Sequence, residues 1–315
     1  MTRKAATGSR LIVEVRWGPM NGRKVHIDVG ASLHVGRTEL SNLVVPHDKH
    51  LSGRHFSLAW DGGRATLRDL ESQGGTLLDG ERVISGEVVH GSWIRAGETD
   101  FSVYVEDKVQ APEDKDPEDD ELLGDPERAL KSDERAEEAR RRHAARAALL
   151  RLRNGAEREP LFAILDAARS DRILELLRQS IEPHQSLYEG IQGEPLAPVA
   201  PYLTGPFRSD SVLLDRLVME GWGRRWGIFV TSREPFREVR RHFRRFLLVE
   251  NEETGEPLYF RFYDPWVMTT FWSVSTPRQA SYLLAPLGAL LAEGEGGSLL
   301  RMHVGAIGGS VVAPW

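Results

Sequence analysis

Gly36-Arg37, Ser52-Gly53-Arg54-His55 and Asp69-Leu70-Glu71-Ser72-Gln73-Gly74-Gly75-Thr76 follow one another in a stretch of short alternating apolar segments. Leu11, Val13, Val15 and Trp17 alternate with Ile12, Glu14 and Arg16. Val25, Ile27 and Val29, then Phe56, Leu58 and Trp60, then Phe101, Val103 and Val105 repeat the pattern. A period of two punctuated by Gly, Asn and Asp predicts short antiparallel strands, and Asp61-Gly62-Gly63 predicts a hairpin turn. Many such strands in succession predict an all-β sandwich over residues 10–106. Loops at the end of a sandwich are where function is carried. The quoted clusters fall on such loops and combine guanidinium groups with a hydroxyl. A planar, permanently charged fork of donors beside a neutral donor is what a phosphate dianion requires.

The order and spacing of these clusters resemble the forkhead-associated (FHA) domain, a phosphothreonine-reading β-sandwich: Gly-Arg, then Ser-x-x-His, then Asp-Leu-x-Ser-x-x-Gly-Thr at Asp69–Thr76. The resemblance implies that Arg37 and Ser52 contact the phosphate, that Arg54 adds charge nearby, and that Gln73 and Gly74 meet the bound peptide. For His55 it implies a bracing role between loops. The chain departs from the family at four positions. Gly74 stands where the family has an Asn that clamps the peptide backbone, and Gln73 where Thr or Ser is common. Gly53 lacks the side chain often found after the Ser, and Asp79 replaces the usual Asn before Gly80. The phosphate half of the site is kept and the peptide half is reduced. The competing reading is a sandwich that keeps Arg37 for structure and binds an unmodified protein surface.

The chain has 315 residues, 40% of them apolar, which is enough for two domains with sizeable cores. A net charge of -6 argues against general nucleic-acid binding but not against a local anion site. With no Cys there are no disulfides, no thiolate chemistry and no Cys-based metal sites, which fits a reducing compartment. The start of the sequence lacks the apolar segment of a signal peptide, and the longest apolar stretch, roughly Tyr282–Ala292, is shorter than the ~20 residues that span a bilayer. A cytoplasmic protein with no membrane partner is expected.

Residues 107–156 read as a charged linker containing a helix. Ala111–Glu121, rich in Asp, Glu and Pro, has the composition of a solvated segment that cannot pack a core. From Asp125, an N-cap followed by Pro126, the sequence turns helical, with Glu137–Arg141 and Glu138–Arg142 pairs and a basic end. It predicts a solvated connecting helix that stops at Asn154-Gly155. A docking helix for an acidic partner is the sharper alternative.

Residues 157–294 alternate buried strands (Leu161–Asp166, Trp226–Val230) with helices (Ile173–Gln179, Ser211–Glu220, Phe236–Phe246). A hairpin around Asn251–Pro257 and a helix over Thr276–Glu293 complete a mixed α/β domain. Residues 295–315 are a tail that either adds strands or stays exposed. No metal-ligand spacing, phosphate loop or nucleophile elbow occurs, so neither catalytic residues, a metal nor a cofactor is expected. Asp264 before Pro265 reads as a helix cap rather than a catalytic carboxylate. Of Trp222, Trp226, Tyr259, Phe260, Phe262 and Tyr263, alternation predicts half in the core and half at a surface. With Arg and aromatic residues enriched at interfaces, Arg224, Arg225, Arg241, Arg244 and Tyr263 are the candidate partner-binding residues.

Leu161–Asp166, Leu196–Leu203, Gly221–Phe229 and Tyr259–Pro265 together resemble the type VI secretion effector chaperones, or adaptors, long catalogued as a domain of unknown function. That resemblance implies a non-enzymatic protein that binds a secreted toxin effector and helps load it onto the VgrG spike. An FHA module would supply docking to a threonine-phosphorylated protein. The alternative is a phosphothreonine-dependent regulator of secretion-system assembly, its second domain a passive scaffold.

Overall fold

Period-two alternation does build strands, eleven of them among the described residues of the first of two compact units, which divide at Val109–Gln110 with Arg178–Pro183 grouped with the first. The computed structural model describes residues 10–16, 18–106, 126–188, 196–250, 254–304 and 310–315. The strands are β1 (Arg10–Val15), β2 (Lys24–Ile27), β3 (Ser32–Gly36), β4 (Leu43–Val44), β5 (Phe56–Trp60), β6 (Ala65–Asp69), β7 (Thr76–Leu78), β8 (Glu81–Val83), β9 (Ser85–Val88), β10 (Trp93–Ala96) and β11 (Thr99–Glu106). One sheet runs β2-β1-β11-β10-β7-β8 and the other β4-β3-β5-β6-β9. Leu11, Val13, Phe101 and Val103 of the first share one core with Val35, Phe56, Leu58 and Leu67 of the second. The expected sandwich is the result. Two details differ. Val29 falls beyond β2 and is 44% exposed, and Trp17 lies outside the described residues.

The second unit is built on β12 (Leu161–Asp166), whose six residues are all buried. Leu161, Ala163 and Leu165 enter one core, while Phe162 and Ile164 enter another. A strand buried on both sides must lie inside a sheet that is covered on both faces. That sheet has seven antiparallel strands, in the order β13 (His184–Ser186), β14 (Pro201–Thr204), β12, β15 (Gly227–Thr231), β18 (Ala289–Glu293), β19 (Leu299–Val304) and β20 (Ser310–Pro314). Helices α1 (Pro126–Ala156), α2 (Asp171–Arg178) and α3 (Val212–Gly221) cover one face, and α4 (Phe236–Arg244), α5 (Pro265–Val274) and α6 (Pro277–Leu284) the other. A separate hairpin pairs β16 (Leu248–Glu250) with β17 (Pro257–Tyr259). The mixed α/β character is as expected.

Two sequence expectations need correction, and one open alternative is resolved. First, α1 is not a free connector. Ala145, Ala148 and Leu152, on one stripe, are buried in the core with α3, Arg153 pairs with Asp215, and Arg141 donates to Trp222 O at 3.0 Å. The stripe is mostly alanine, whose small apolar surface hardly registers among the Arg and Glu. The acidic stretch Ala111–Glu121 and the expected cap at Asp125 lie outside the described residues. Second, the helix expected over Thr276–Glu293 ends at Leu284, and Ala289–Glu293 is a strand. Thr276 and Gln279 form the capping box that starts the helix, and Pro286, with no N–H and a ring that clashes with helical backbone, prevents its continuation. Of the two alternatives left open for residues 295–315, added strands are what forms: Leu299–Val304 and Ser310–Pro314 extend the sheet.

Candidate functional site

β3 ends at Gly36, and the loop 52–54 comes down directly beside it. A Cβ at residue 36 would lie 2.2 Å from Gly53 O and 2.5 Å from Ser41 Oγ, so only glycine permits the approach. Once adjacent, the loops are tied through main chain. Arg37 N donates to Ser52 O at 2.9 Å, and Gly53 O accepts from Thr38 N at 3.3 Å, Thr38 Oγ1 at 3.1 Å and Ser41 Oγ at 3.0 Å. The Arg37 guanidinium is exposed, and its Nε donates to Leu51 O at 3.2 Å. Among the described residues, no carboxylate pairs with Arg37 or Arg54.

His55 is fully buried and joins three segments. Its Nδ1 accepts from Ser52 N at 3.0 Å and its Nε2 meets Gly75 O at 3.1 Å, so the ring hydrogen sits on Nε2. Ser52 Oγ accepts from Gln73 N at 3.0 Å, which leaves the hydroxyl hydrogen to be donated outward. The loop 70–75 is in turn held by Asp69. Its carboxylate accepts from Ser72 N at 2.9 Å, Ser72 Oγ at 2.6 Å and Thr76 Oγ1 at 2.6 Å. Burial alone would push the Asp69 carboxyl up, but these donors outweigh it and hold the carboxyl below its usual range.

Arg37, Ser52 and Gln73 are thus brought together by hydrogen bonds. Arg54 and Gly74 are exposed on the same loops, with no direct bond to the other three. A groove of about 690 Å³ opens beside Gln73 and Gly74, flanked by Lys49, His50, Arg82 and Arg95. The sequence reading missed those four because they come from segments distant along the chain, Lys49 and His50 from the loop after β4, Arg82 from β8 and Arg95 from β10. The arrangement can present a guanidinium and a hydroxyl to an anionic ligand, beside a groove whose cationic side chains share it with Glu98, with Arg95 paired to Asp100.

In the second unit the five expected partner-binding residues separate. Arg224 and Arg225 are exposed, and the Arg225 guanidinium lies 5.5 Å from the Trp266 ring centroid. Arg241 is exposed and pairs with Glu238 of its own helix. Arg244 is half-buried, and its Nε donates to Leu187 O at 3.0 Å, so it is partly a structural tie. Tyr263 is only 6% exposed and belongs to the core, which corrects its place in a surface. β17 ends at Tyr259, so alternation does not continue, and the turn beyond it sends Phe262 and Tyr263 inward together. Trp222 and Trp226 are also core residues. Arg240 is buried and donates to Ser186 O at 2.8 Å. Asp264 caps α5, accepting from Trp266 N at 2.9 Å, and pairs with Arg169. Among the described residues no group of three or more His, Asp or Glu is placed to hold a metal ion, and no helix is long and apolar enough to cross a membrane.

The first unit is therefore a β-sandwich with Arg37, Ser52, Arg54, Gln73 and Gly74 on its loops. Residues 33–97 match the family model of the FHA domain, so the chain carries an FHA domain there. Residues 161–282 match a domain of unknown function, DUF4123. Among solved structures, an FHA domain studied for phosphothreonine-dependent interactions is 29% identical, with 30% of this chain and 95% of that one covered and a TM-score of 0.28. The FhaA FHA domain, in complex with the intracellular domain of Rv3910, is 30% identical, with 30% and 98% covered and a TM-score of 0.27. The FHA-1 domain of Rv1747 from Mycobacterium tuberculosis is 25% identical, with 30% and 97% covered and a TM-score of 0.26. No curated protein is significantly similar to the chain.

Proposed function

We propose that the protein is a cytoplasmic, non-enzymatic adaptor whose FHA domain docks a threonine-phosphorylated protein through Arg37 and Ser52. The observation that carries this reading is the Arg37 guanidinium. It is fixed by a bond to main chain, it has no carboxylate partner among the described residues, and it shares a braced pair of loops with a hydroxyl whose hydrogen is free. A charge-assisted hydrogen bond to a phosphate contributes roughly 1.5–3 kcal/mol. Arg54 supplies further positive charge, and Gln73 and Gly74 border the peptide. The second domain, by its resemblance to effector chaperones, holds a toxin effector for delivery to the VgrG spike. Arg224, Arg225 and Arg241 are the surface residues that this reading assigns to cargo.

Calorimetric titration of the full chain with a phosphothreonine peptide library tests the docking role. Phosphorylated peptides should bind and their unphosphorylated twins should not. Arg37→Ala should weaken binding by about 1.5–3 kcal/mol, the range for one lost bond to a charged group. A folded protein that binds no phosphopeptide at millimolar concentration would overturn the docking role. The cargo role is tested separately by capture of the effector encoded beside the gene, together with the spike protein.

A further inference from the structure

The second unit contains a groove of about 600 Å³ that the phosphate-docking reading does not use. One wall is the outer face of α5, with Trp266, Thr269 and Ser273, and the floor includes Glu293 and the turn through Glu295. Trp266 is 61% exposed although it is the largest side-chain type, and single exposed aromatics in a concave site are common binding anchors. Across the mouth, Arg225 has φ 56°, in the left-handed region that non-glycine residues rarely adopt. This backbone holds its guanidinium over the Trp266 ring. Such strain persists only where the surroundings impose it, and it gathers at functional sites.

The polar groups of the groove are mostly acceptors. Thr269 Oγ1 donates to Pro265 O at 3.0 Å and Ser273 Oγ to Thr270 O at 2.8 Å, so both hydroxyls turn lone pairs outward. Glu293 Oε1 accepts from Gly223 N at 2.7 Å, and neither Glu293 nor Glu295 forms an ion pair among the described residues. Two carboxyl groups therefore face one lining cation, Arg225, which is already stacked on the indole.

We infer that this groove binds a lysine or arginine side chain of a partner polypeptide, with the free side of the Trp266 ring along its aliphatic stem and Glu293 and Glu295 at its cationic head. A donor-only cation matches an acceptor-lined site, and an aromatic face attracts cations. Burial is the main influence on Glu293. It pushes the carboxyl up to about 7 against the Gly223 N–H and the charges of Arg141 on α1 and Arg225 on the loop; Glu295 is the other carboxylate that lines the groove. An arriving cation favours the ionised form. Affinity should therefore rise with pH as the free groove's carboxyl ionises, by up to about tenfold between pH 6 and 8.

The inference goes beyond the phosphate-docking reading, and phosphopeptide titration is independent of it. The full chain labelled with 5-fluorotryptophan allows a local test by fluorine NMR, with the Trp266 resonance identified by its loss in Trp266→Phe. Titration with acetylated, amidated tetralysine should shift that resonance saturably, and more tightly at pH 8 than at pH 6. Glu293→Gln, which keeps an acceptor for Gly223 N, should weaken binding severalfold and abolish its pH dependence. No shift at millimolar tetralysine, a shift with tetraglutamate instead, or unchanged binding and pH dependence in Glu293→Gln would each overturn the inference.

Discussion

At the residue scale, the placement of Arg37 and Ser52 on loops was legible because the flanking strands alternate clearly. Their spacing then set the two loops side by side. Lys49, His50, Arg82 and Arg95 were not legible, since only strand register brings the loop after β4, β8 and β10 to one groove. Tyr263 was misassigned because alternation was carried past the end of β17. Glu293 was silent in the sequence, where nothing marks a carboxyl as half-buried. Its folded-state value, raised to about 7 by burial, means that the native protein holds a proton there that the unfolded chain releases above the ordinary glutamate range. That contribution to stability is fully present below about pH 4.5 and is lost as pH rises through about 7. Glu293→Gln should accordingly raise the melting temperature at pH 8 and change it little at pH 5. Thermal scans at both values check this, and an equal shift at the two would show that the carboxyl's burial is not the cause.

At the element scale, α4 shows how far helical periodicity can be trusted. Val239 and Phe243 face the core as their spacing requires, but Arg240 and Arg244 bend back to carbonyls of the 186–188 segment. Arg241→Glu should therefore change stability by less than about 0.5 kcal/mol, as exposed substitutions usually do. Arg244→Glu removes the donor to Leu187 O and should cost about 1–3 kcal/mol. Urea denaturation of the two single variants distinguishes them, and equal costs would refute the assignment. Helix α1 makes the opposite point. Its Ala and Leu stripe was present in the sequence but outweighed by charge, and its burial was invisible without the partner helix. A fragment starting at residue 157 would expose the surfaces that Ala145, Ala148 and Leu152 cover. Loss of Leu152 packing alone is comparable to a core truncation of about 2–5 kcal/mol. A fragment starting at residue 126 should fold, and one starting at residue 157 should be molten or insoluble. A cooperative thermal transition in the shorter fragment would show that α1 is dispensable.

At the scale of the whole molecule, composition and punctuation separated an all-β part from a mixed part because the two obey different periods. The sheet order of the second part was not recoverable, since its seven strands are gathered from residues 161 to 314 and pair over long separations. That sheet separates two hydrophobic clusters, one against α1, α2 and α3 and the other against α4, α5 and α6. β12 and β15 are interior strands of it, with protein on both faces and both edges. β16 and β17, by contrast, are exposed throughout. The consequence is a steep gradient of deuterium uptake within one unit. Amides of β12 and β15 should exchange last, only when both clusters open together, while those of the β16–β17 hairpin should exchange within the first time points of a mass-spectrometric series. Comparable uptake in the two segments would mean that the sheet opens locally. Late exchange confined to the centre would identify β12 and β15 as the part of the unit whose opening is its unfolding.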